Sequence, residues 1–417
     1  MITLIEALHF GCLRYVSQPL APFQVLVGPN ASGKSTFLDV VAFLGDLVSN
    51  GVDDAVSART ANFRDLIWGG EGTGFELAIE AVAPEERRRQ TADPTLDTVR
   101  YEVTIWIDPE TGQNVIADER LLRKQPALPR IPLRFPEDLD PPSTLRIAKR
   151  KKKQHAVLTK TPGGKDNFYP ETDKGWFPSM RFGPRKSALE NLPDDESIFP
   201  VATWFKDLLT TGIQQMTLNS ALMRRPSPPG NGRGFRPDGS NLPWAVARLA
   251  AEHPERLNRW IGHMRTALPD IQQIDTIERP EDRHRYLIVR YRNGMALPSW
   301  RVSDGTLRLL ALTLPAYLTD TDGIYLVEEP ENGIHPQAVE TVYQSLSSEY
   351  DAQVLLATHS PVILSSARAQ DILCFARTAS GASAIVRGSE HPALADWKGE
   401  VNLSFYSPRG SWDEAPA

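Results

Sequence analysis

Hydrophobic and polar residues alternate near the N-terminus, and the pattern then changes to a helical spacing. The segments MITLIEALHF (1–10) and FQVLVG (23–28) are typical of strands, and the continuous apolar run of the second predicts a buried strand. Apolar residues in FLDVVAFLGDLV (37–48) recur every three or four positions, which predicts a helix. FELAIEAVA (75–83) and VRYEVTIWI (99–107) return to alternation and predict an antiparallel pair of strands.

The middle of the chain has a different character. From about Arg123 periodicity is lost, and Pro, Lys and Arg dominate as far as residue 155, which predicts a loop-rich insertion. Helical spacing returns in 196–213 and 242–268, and RYLIVRY (285–291) predicts a strand. Helix and strand then alternate down to QVLLATHS (353–360), which is typical of a parallel sheet covered by helices. We therefore predict three parts, 1–120, 121–274 and 275–417, of which the middle one is an insertion.

Composition narrows the class of protein. The 417 residues carry 46 basic and 52 acidic side chains, a net charge of −6, so no global charge favours nucleic acid. No apolar run reaches the ~20 residues of a membrane helix, and the N-terminus lacks the pattern of a signal peptide. Two cysteines, Cys12 and Cys374, lie in strand-like apolar surroundings and are expected to be buried, inert thiols. We expect a cytoplasmic protein without a membrane partner.

A phosphate-binding pattern, G-x-x-x-x-G-K-[ST], lies between the second strand and the first helix. Glycines let the loop turn its amides inward, where they and the helix N-terminus attract phosphate oxygens. Lys34 is expected to reach the outer phosphates, and the Ser35 hydroxyl is a ligand for Mg²⁺. The nucleotide-binding residues predicted here are Gly28, Pro29, Asn30, Ala31, Ser32, Gly33, Lys34, Ser35 and Thr36.

Two adjacent carboxylates, Glu328 and Glu329, end the apolar run of residues 324–327. Neighbouring negative charges repel each other, so a positive partner is expected, and a Mg²⁺ ion carried by a nucleoside triphosphate supplies it. We predict that Glu328 holds the metal and that Glu329 orients or deprotonates the attacking water. The alternative, an acidic strand end exposed to solvent, leaves the apolar run unexplained.

Two further segments complete the predicted site. His359 ends a second apolar strand, where ligands bind in open α/β sheets, and its imidazole is suited to donate a hydrogen bond to the terminal phosphate. Ser303 and Gly305 precede an apolar helix whose N-terminus offers amides and a positive dipole end. By the alternative interpretation Ser303 is only a helix cap, and the sequence leaves the choice open.

The order of these motifs resembles that of ABC-type AAA-family ATPases of the SMC/RecF/OLD-like branch. The segments SDGTLRLLAL (303–312), VEEPENGIHP (327–336) and ATHSPVIL (357–364) resemble the stand-alone or defence-associated members. The resemblance covers mainly the first eighty or so residues and the last third. It implies an α/β P-loop NTPase, namely an ABC/SMC-like ATPase head with a mixed sheet, an antiparallel β lobe and an inserted helical and loop region.

The resemblance also implies a mechanism. Two heads sandwich ATP, so that residues 28–36 of one subunit bind phosphates and Mg²⁺ while Ser303 and Gly305 of the other close over the terminal phosphate. Glu328 corresponds to the second acidic motif, Glu329 to the catalytic base and His359 to the switch histidine, and residues 332–335 form a loop at the dimer interface. Larger assemblies than the dimer are left open.

Some positions depart from the family pattern. Glu328 replaces the usual Asp at the Mg²⁺ position, and Asp304 and Thr306 stand where transporter ATPases carry Gly and Gln. The glutamine loop has no assigned position. Phe10 and Tyr15 are the candidates for stacking on adenine.

The resemblance favours an ATPase that controls a separate effector, a nuclease or a toxin, in defence against phage. The segment after His359 is shorter than the ~100 residues of a typical domain, so we expect no Toprim nuclease in this chain. The alternatives are a RecF-type repair ATPase, the energy subunit of an ABC transporter, and a scaffold in which nucleotide binding rather than turnover matters. A basic run offers contact with DNA or RNA, although a solvated loop is the plainer interpretation. The run consists of Arg146, Lys149, Arg150, Lys151, Lys152, Lys153 and His155.

Overall fold

The computed structural model describes residues 1–126, 135–147, 154–161, 163, 165–173, 175, 177–230, 234–319, 323–348 and 352–391. The described strands are β1 Ile2–Phe10, β2 Leu13–Pro19, β3 Phe23–Val27, β4 Gly74–Val82, β5 Thr98–Ile107, β6 Asn114–Lys124, β7 Gln154–Lys160, β8 Asn167–Phe168, β9 Ile213–Met216, β10 Ile271–Glu278, β11 Arg285–Tyr291, β12 Ala296–Pro298, β13 Gly323–Glu328, β14 Ala352–Ala357, β15 Ile372–Arg377 and β16 Ser383–Arg387. The described helices are α1 Lys34–Asn50, α2 Val52–Ser57, α3 Glu85–Arg88, α4 Pro200–Thr210, α5 Ser220–Arg224, α6 Leu242–Glu252, α7 Pro254–Ala267, α8 Asp304–Thr313, α9 Pro336–Ser347 and α10 Pro361–Ser366.

The described chain divides into two compact units. The first comprises residues 1–213 and 369–391, and the second comprises residues 214–368. The predicted boundaries at 120 and 274 stay a prediction, although β6 runs across position 120 and is paired on both of its edges. No helix in the described ranges is both long and apolar enough to cross a membrane.

A seven-stranded antiparallel sheet dominates the first unit, with the strand order β2-β1-β4-β5-β6-β7-β8. Alternation along β4 and β5 gives the sheet one apolar face, as the sequence predicted. Helices α1 and α4 pack on that face, where Phe43 lies 5.5 Å from Phe75 and Phe205 lies 6.0 Å from Tyr101 between ring centroids. The antiparallel β lobe expected from the sequence is therefore present, and β4 and β5 pair as predicted.

The other side of this sheet carries buried charges that the sequence did not indicate. Arg100 contacts three carboxylates on β1, β4 and β5, namely Glu6 at 2.6 Å, Glu80 at 2.9 Å and Glu102 at 2.7 Å. Burial alone would lower the pKa of Arg100, but the three carboxylates outweigh it and raise that pKa. The guanidinium therefore stays charged and links three strands of the sheet.

Part of the predicted insertion crosses the same side. Of the stretch between β6 and β7, residues 135–147 are described, and they contain neither helix nor strand. Leu145 is buried against Leu8 and Ala78, and its backbone N–H donates to Glu76 Oε2 at 2.6 Å. This segment is consequently fixed to the sheet by both apolar and polar contacts.

The second sheet of the first unit contains the strand that leads into the phosphate loop. In this unit β15 pairs in parallel with β3 and antiparallel with β16, so the sheet is mixed, as expected. Phe375 on β15 packs edge-on against Phe37 on α1 at 5.6 Å between centroids. Buried apolar residues on both sides of β3 thereby fix the position at which residue 28 begins the loop.

The second unit contains a parallel strand pair and a small meander. β13 and β14 are parallel and are joined through α9, which is the strand–helix–strand pattern that the sequence predicted. β10, β11 and β12 form an antiparallel sheet against α6 and α7. Trp260 on α7 is fully buried, and its Nε1–H donates to Thr313 Oγ1 on α8 at 2.9 Å. Trp260 is therefore a core residue.

Candidate functional site

The predicted phosphate loop joins β3 to α1 in the first unit. Positive backbone angles recur along it, with φ values of 153° at Gly28, 59° at Ala31 and 103° at Gly33. Pro29, Asn30 and Ala31 form the exposed outer part of the loop. Gly33 is the N-cap of α1 and has no side chain to cap it, so the amides at this helix N-terminus are available to an anion.

Both glycines of the motif are required by close approaches. A Cβ atom at Gly28 would lie 2.3 Å from the carbonyl oxygen of Phe375, and one at Gly33 would lie 2.2 Å from Ser383 Oγ. These contacts, together with the positive φ values, exclude a larger residue unless the backbone at Phe375 shifts in the case of Gly28, or the side chains of Ser383 and Cys12 shift in the case of Gly33. β15 and β16 therefore support the loop from behind.

Inside the loop, two polar side chains are buried. Lys34 is 8% exposed, and its ammonium group donates to the carbonyl oxygens of Gly28 at 2.9 Å and Pro29 at 3.0 Å. Ser32 is fully buried, and its hydroxyl has no hydrogen-bond partner among the described residues. A loop with a cation at its centre, a helix N-terminus and an unpartnered hydroxyl fits a phosphate group.

Residues at the start of α1 also contact the turn between β1 and β2. Ser35 is exposed, whereas Thr36 is half-buried and its Oγ1 accepts from Cys12 Sγ at 3.2 Å. Cys12 lies in this turn and is partly exposed, so the expectation of a buried strand residue was wrong for it. For Cys374 the expectation is confirmed, because the side chain is 1% exposed and burial raises the pKa of its thiol to about 12.

The candidates for stacking on adenine have different environments. Phe10 is 1% exposed and packs against Phe43 and Phe75, with ring centroids at 5.7 Å and 4.9 Å. Its aromatic faces are occupied by the core, so Phe10 was a wrong candidate. Tyr15 is half-buried on β2 and packs beside Leu145, and its role stays a prediction.

In the second unit, the two predicted carboxylates lie at the end of β13. Residues 324–327 are buried, and the next two, Glu328 and Glu329, are exposed. Glu328 is the last residue of the strand and pairs in register with Ala357 of β14. The buried run thus delivers both carboxylates to one edge of the parallel pair, in agreement with the strand-end position predicted for them.

Glu329 has an unusual backbone. Its φ is 45°, a left-handed conformation that few residues other than glycine adopt. The Glu329 N–H donates to Ala357 O at 2.8 Å, and its carboxylate accepts from the Asn332 side-chain amide. The turn after β13 therefore holds this glutamate in a strained conformation, a feature that clusters at functional sites.

Glu331 is a site residue that the sequence reasoning missed. Its Oε1 accepts from Thr358 Oγ1 at 2.7 Å and from the His359 backbone N–H at 2.9 Å. Nothing in the pattern Pro-Glu-Asn-Gly indicates a partner almost thirty residues later in the sequence. The structure brings the predicted glutamates and the predicted histidine to neighbouring strand ends through this residue.

His359 is exposed at the end of β14, as predicted. The following residue, Ser360, caps α10, and its hydroxyl accepts from the Ile363 N–H at 3.4 Å. Thr358 is buried, and its Oγ1 accepts from the Ser360 N–H at 2.9 Å. The backbone on both sides of His359 is therefore fixed by hydrogen bonds.

The predicted signature segment begins α8. Ser303 is the N-cap, and its hydroxyl accepts from the Thr306 N–H at 3.2 Å, while its predicted contact with a nucleotide stays a prediction. Asp304 pairs with Arg224 at 2.7 Å, a partner that the sequence did not indicate. A Cβ at Gly305 would lie 2.7 Å from Gly333 O, which shows how closely this helix approaches the turn after β13.

The predicted basic run is described only at its two ends. Arg146 pairs with Asp118 at 3.2 Å, and residues 149–153 lie outside the described residues. His155 lies in β7, and burial lowers its pKa below the usual 6.5, so it adds no positive charge at neutral pH. Contact between this run and nucleic acid stays a prediction.

Comparisons with known proteins address the fold and the family. The sequence model of a family described as "AAA domain, putative AbiEii toxin, Type IV TA system" matches residues 23–365. A crystal structure described as "the SmcHead bound to the C-winged helix domain of ScpA" is similar, with a TM-score of 0.53 and 16% identity over 92% of this chain and 96% of that chain. A second similar structure is the Smc head domain with an extended coiled coil bound to the C-terminal domain of ScpA, derived from Pyrococcus furiosus. Its TM-score is 0.51 and its identity is 14%, over 92% of this chain and 95% of that chain. No curated protein matches the chain. At these identities the likeness shows the fold, an α/β SMC-like ATPase head, as the sequence predicted.

Proposed function

The chain belongs to the family described as "AAA domain, putative AbiEii toxin, Type IV TA system", and from this premise we propose that it binds and hydrolyses ATP. The observation that carries the proposal is the interior of the phosphate loop. Lys34 is held by loop carbonyls that a phosphate can replace, and the buried Ser32 hydroxyl lacks a partner that a phosphate oxygen can provide.

Each residue of the loop has a role in this proposal. The backbone N–H groups of residues 30–36, which include the N-terminus of α1, bind the β- and γ-phosphates. Lys34 leaves the carbonyls of Gly28 and Pro29 and neutralises the outer phosphates. Ser35 and Glu328 would hold Mg²⁺, which when bound neutralises charge on the phosphate oxygens.

We assign the transfer of the proton to Glu329. Its carboxylate accepts a proton from water, the water oxygen bonds to the γ-phosphorus, and the bond to the bridging oxygen breaks to give ADP and phosphate. His359 donates a hydrogen bond to the γ-phosphate. Exposure of Glu328, Glu329 and His359 at adjoining strand ends of the second unit supports these roles.

The test of ATP hydrolysis uses three variants. Lys34→Ala should abolish nucleotide binding, measured with a fluorescent ATP analogue, because the loop loses its only interior cation among the described residues. Glu329→Gln should keep binding and lower kcat by about 10²–10⁴-fold, as expected for loss of a general base. Lys186→Ala removes an exposed lysine of the same unit and should change neither quantity. Retained binding by Lys34→Ala would contradict the assignment of the site, and unchanged turnover by Glu329→Gln would favour a scaffold.

The proposal extends to assembly and partners. We propose that two copies dimerise around ATP, with Ser303 and Gly305 of one copy closing over the nucleotide of the other, and that the dimer controls a separately encoded effector in defence against phage. The exposed cap at Ser303 supports the first statement. The family description names a toxin–antitoxin system, and both SMC heads are bound to another protein, which supports the second.

Light scattering tests the dimer. Glu329→Gln with ATP and Mg²⁺ should double in mass, whereas the double variant with Lys34→Ala should stay monomeric. The product of the neighbouring gene should copurify with the dimer, and cells carrying both genes should resist phage only when Lys34 is intact. A neighbour that is a membrane permease would instead identify a transporter subunit.

Contact with nucleic acid is a separate proposal for residues 146–153. Glutamates in place of the basic residues at 149–153 should abolish DNA binding, and the affinity of the unchanged protein should fall steeply with salt. An unchanged affinity would show that the run is passive.

A further inference from the structure

The Glu331 side chain joins the ends of β13 and β14, the strands that present the proposed catalytic groups. One oxygen, Oε1, accepts from both the Thr358 hydroxyl at 2.7 Å and the His359 backbone N–H at 2.9 Å. Hydrogen bonds to a carboxylate are about twice as strong as those between neutral groups. Through this one oxygen Glu331 therefore fixes two consecutive residues, of which the second is the proposed switch histidine.

The other oxygen of this carboxylate has a different environment. Glu331 Oε2 is buried and has no hydrogen-bond partner in the described part of the chain, although a buried carboxylate oxygen normally has one. The same turn also carries Glu329 in its left-handed conformation, with its N–H bonded to Ala357 O. The proposed base and the proposed histidine are thus held by a single turn, with Glu331 as the side chain between them.

We propose that Glu331 is a positioning residue for ATP hydrolysis, which holds His359 at the site of the terminal phosphate. This inference rests on the proposed function. The carboxylate does not touch the reacting atoms, and it acts by fixing the backbone from which the His359 imidazole projects. Loss of the carboxylate should let the histidine move by fractions of an ångström, which is enough to weaken a catalytic hydrogen bond strongly.

A purely structural role predicts a different result from a positioning role. If Glu331 only stabilises the fold, its removal lowers the melting temperature, while kcat of the folded fraction stays the same. If it positions His359, kcat falls and the affinity for ATP is preserved, because the phosphate loop supplies that affinity. The two roles can therefore be separated by kinetics.

The kinetic test compares Glu331→Ala with two controls. Glu331→Ala should lower kcat about ten- to a hundredfold, with KM and the Kd of an ATP analogue within about twofold of the original values. Glu331→Gln keeps a side-chain oxygen that can accept both hydrogen bonds, and it should recover most of the rate. Glu340→Ala removes an exposed carboxylate on α9 and should leave every constant unchanged.

A double variant tests whether Glu331 acts through His359. In a His359→Ala background, Glu331→Ala should cause no further loss of kcat, because the residue that it positions is already absent. Multiplied losses would show that Glu331 acts by another route and would overturn the proposal.

Hydrogen–deuterium exchange provides a readout that needs no nucleotide. Loss of the acceptor should speed exchange of the peptide that contains the His359 N–H in Glu331→Ala but not in Glu331→Gln or Glu340→Ala. If Glu331→Ala keeps full kcat while the original protein hydrolyses ATP, the positioning role is refuted and the proposed function stands. If the original protein binds no ATP at all, the proposed function itself is refuted.

Discussion

Two regions of the molecule carry the proposed site, and they differ in how their side chains are held. One is the phosphate loop, residues 28–36, and the other is the strand-end cluster, which consists of Glu328, Glu329, Glu331 and His359. In the loop, Ser32 and Lys34 are buried and the glycines have no room for a side chain. In the strand-end cluster, Glu328, Glu329 and His359 are exposed, and their positions depend on hydrogen bonds between turns. The loop is fixed by buried side chains and close backbone packing, whereas the cluster is an exposed surface held by hydrogen bonds.

This difference indicates how each region should respond to change. Substitutions of Gly28 or Gly33 create steric conflict with β15 or β16, so they should damage folding and binding together. Substitutions in the strand-end cluster remove hydrogen bonds or relieve strain at the surface, so they should separate activity from stability.

The largest expected effect is that of Gly33→Ala in the loop. The added Cβ meets Ser383 Oγ at 2.2 Å and Cys12 Sγ at 3.0 Å, at a φ of 103°. Left-handed strain and overpacking together should lower the free energy of unfolding by about 2–5 kcal/mol. Urea denaturation measures this change. Gly262→Ala, where a Cβ meets nothing within 4 Å, is the matched control and should lose nothing. Equal stability of the two variants would contradict a rigidly supported loop.

Gly305→Ala tests the approach of α8 to the turn after β13. Its Cβ would lie 2.7 Å from Gly333 O, and that clash should exceed the gain in helix propensity. The free energy of unfolding should fall by about 1–2 kcal/mol, and kcat should fall with it, because the turn carries Glu329 and Glu331. Unchanged kcat would show that the strand-end cluster is independent of α8.

The buried Cys374 thiol should make the free energy of unfolding depend on pH. Cys374 lies on β15 and pairs with Val27, the residue that precedes the phosphate loop. Its thiol pKa is about 12 in the folded protein and 9.0 otherwise, so the folded state keeps the proton longer. Stability from this group is complete below pH 9 and is lost as the pH rises towards 12. Between pH 8 and pH 10, the free energy of unfolding of the original protein should fall by about 1.4 kcal/mol more than that of Cys374→Ala. Parallel pH profiles of the two proteins would contradict the burial of this thiol.

The smallest change in the free energy of unfolding is expected for Glu329→Gly, and this change is an increase. Glycine adopts a φ of 45° without strain, so the free energy of unfolding should rise by about 0.5–1 kcal/mol while hydrolysis is lost. Glu328→Gly, at the regular end of β13, should instead lower stability. A loss of stability in both variants would show that the turn is not strained.

The sequence predicted the loop well because its motif is contiguous. Gly28, Gly33 and Lys34 have fixed spacings, and the strand before them and the helix after them follow from hydrophobic periodicity. The same holds for Glu328 and His359, each of which ends an apolar run. Each of these patterns spans about ten residues, so the positions of the loop and of the two strand ends could be predicted without knowledge of tertiary contacts.

The remainder depends on contacts that are distant in sequence. Glu331 becomes a site residue only because β13 and β14 are parallel and in register. The sequence around Phe10 fits a core residue and a stacking residue equally well. Its contacts with Phe43 and Phe75 show that it belongs to the core. Cys12 follows an apolar strand but lies in the turn, where the β1–β2 pair ends. The three carboxylate partners of Arg100 could not be predicted, because they depend on the register of β1, β4 and β5.

The unpartnered hydroxyl of Ser32 has a thermodynamic consequence. A buried polar group without a hydrogen bond costs about 1–3 kcal/mol, and the nucleotide-free protein bears that cost permanently. Occupancy by any suitable oxyanion removes it, so even inorganic phosphate or sulfate should raise the melting temperature. Ser32→Ala should melt later when nothing is bound and gain less from the anion, because the hydroxyl lowers the stability of the empty loop and is satisfied only when an oxyanion binds.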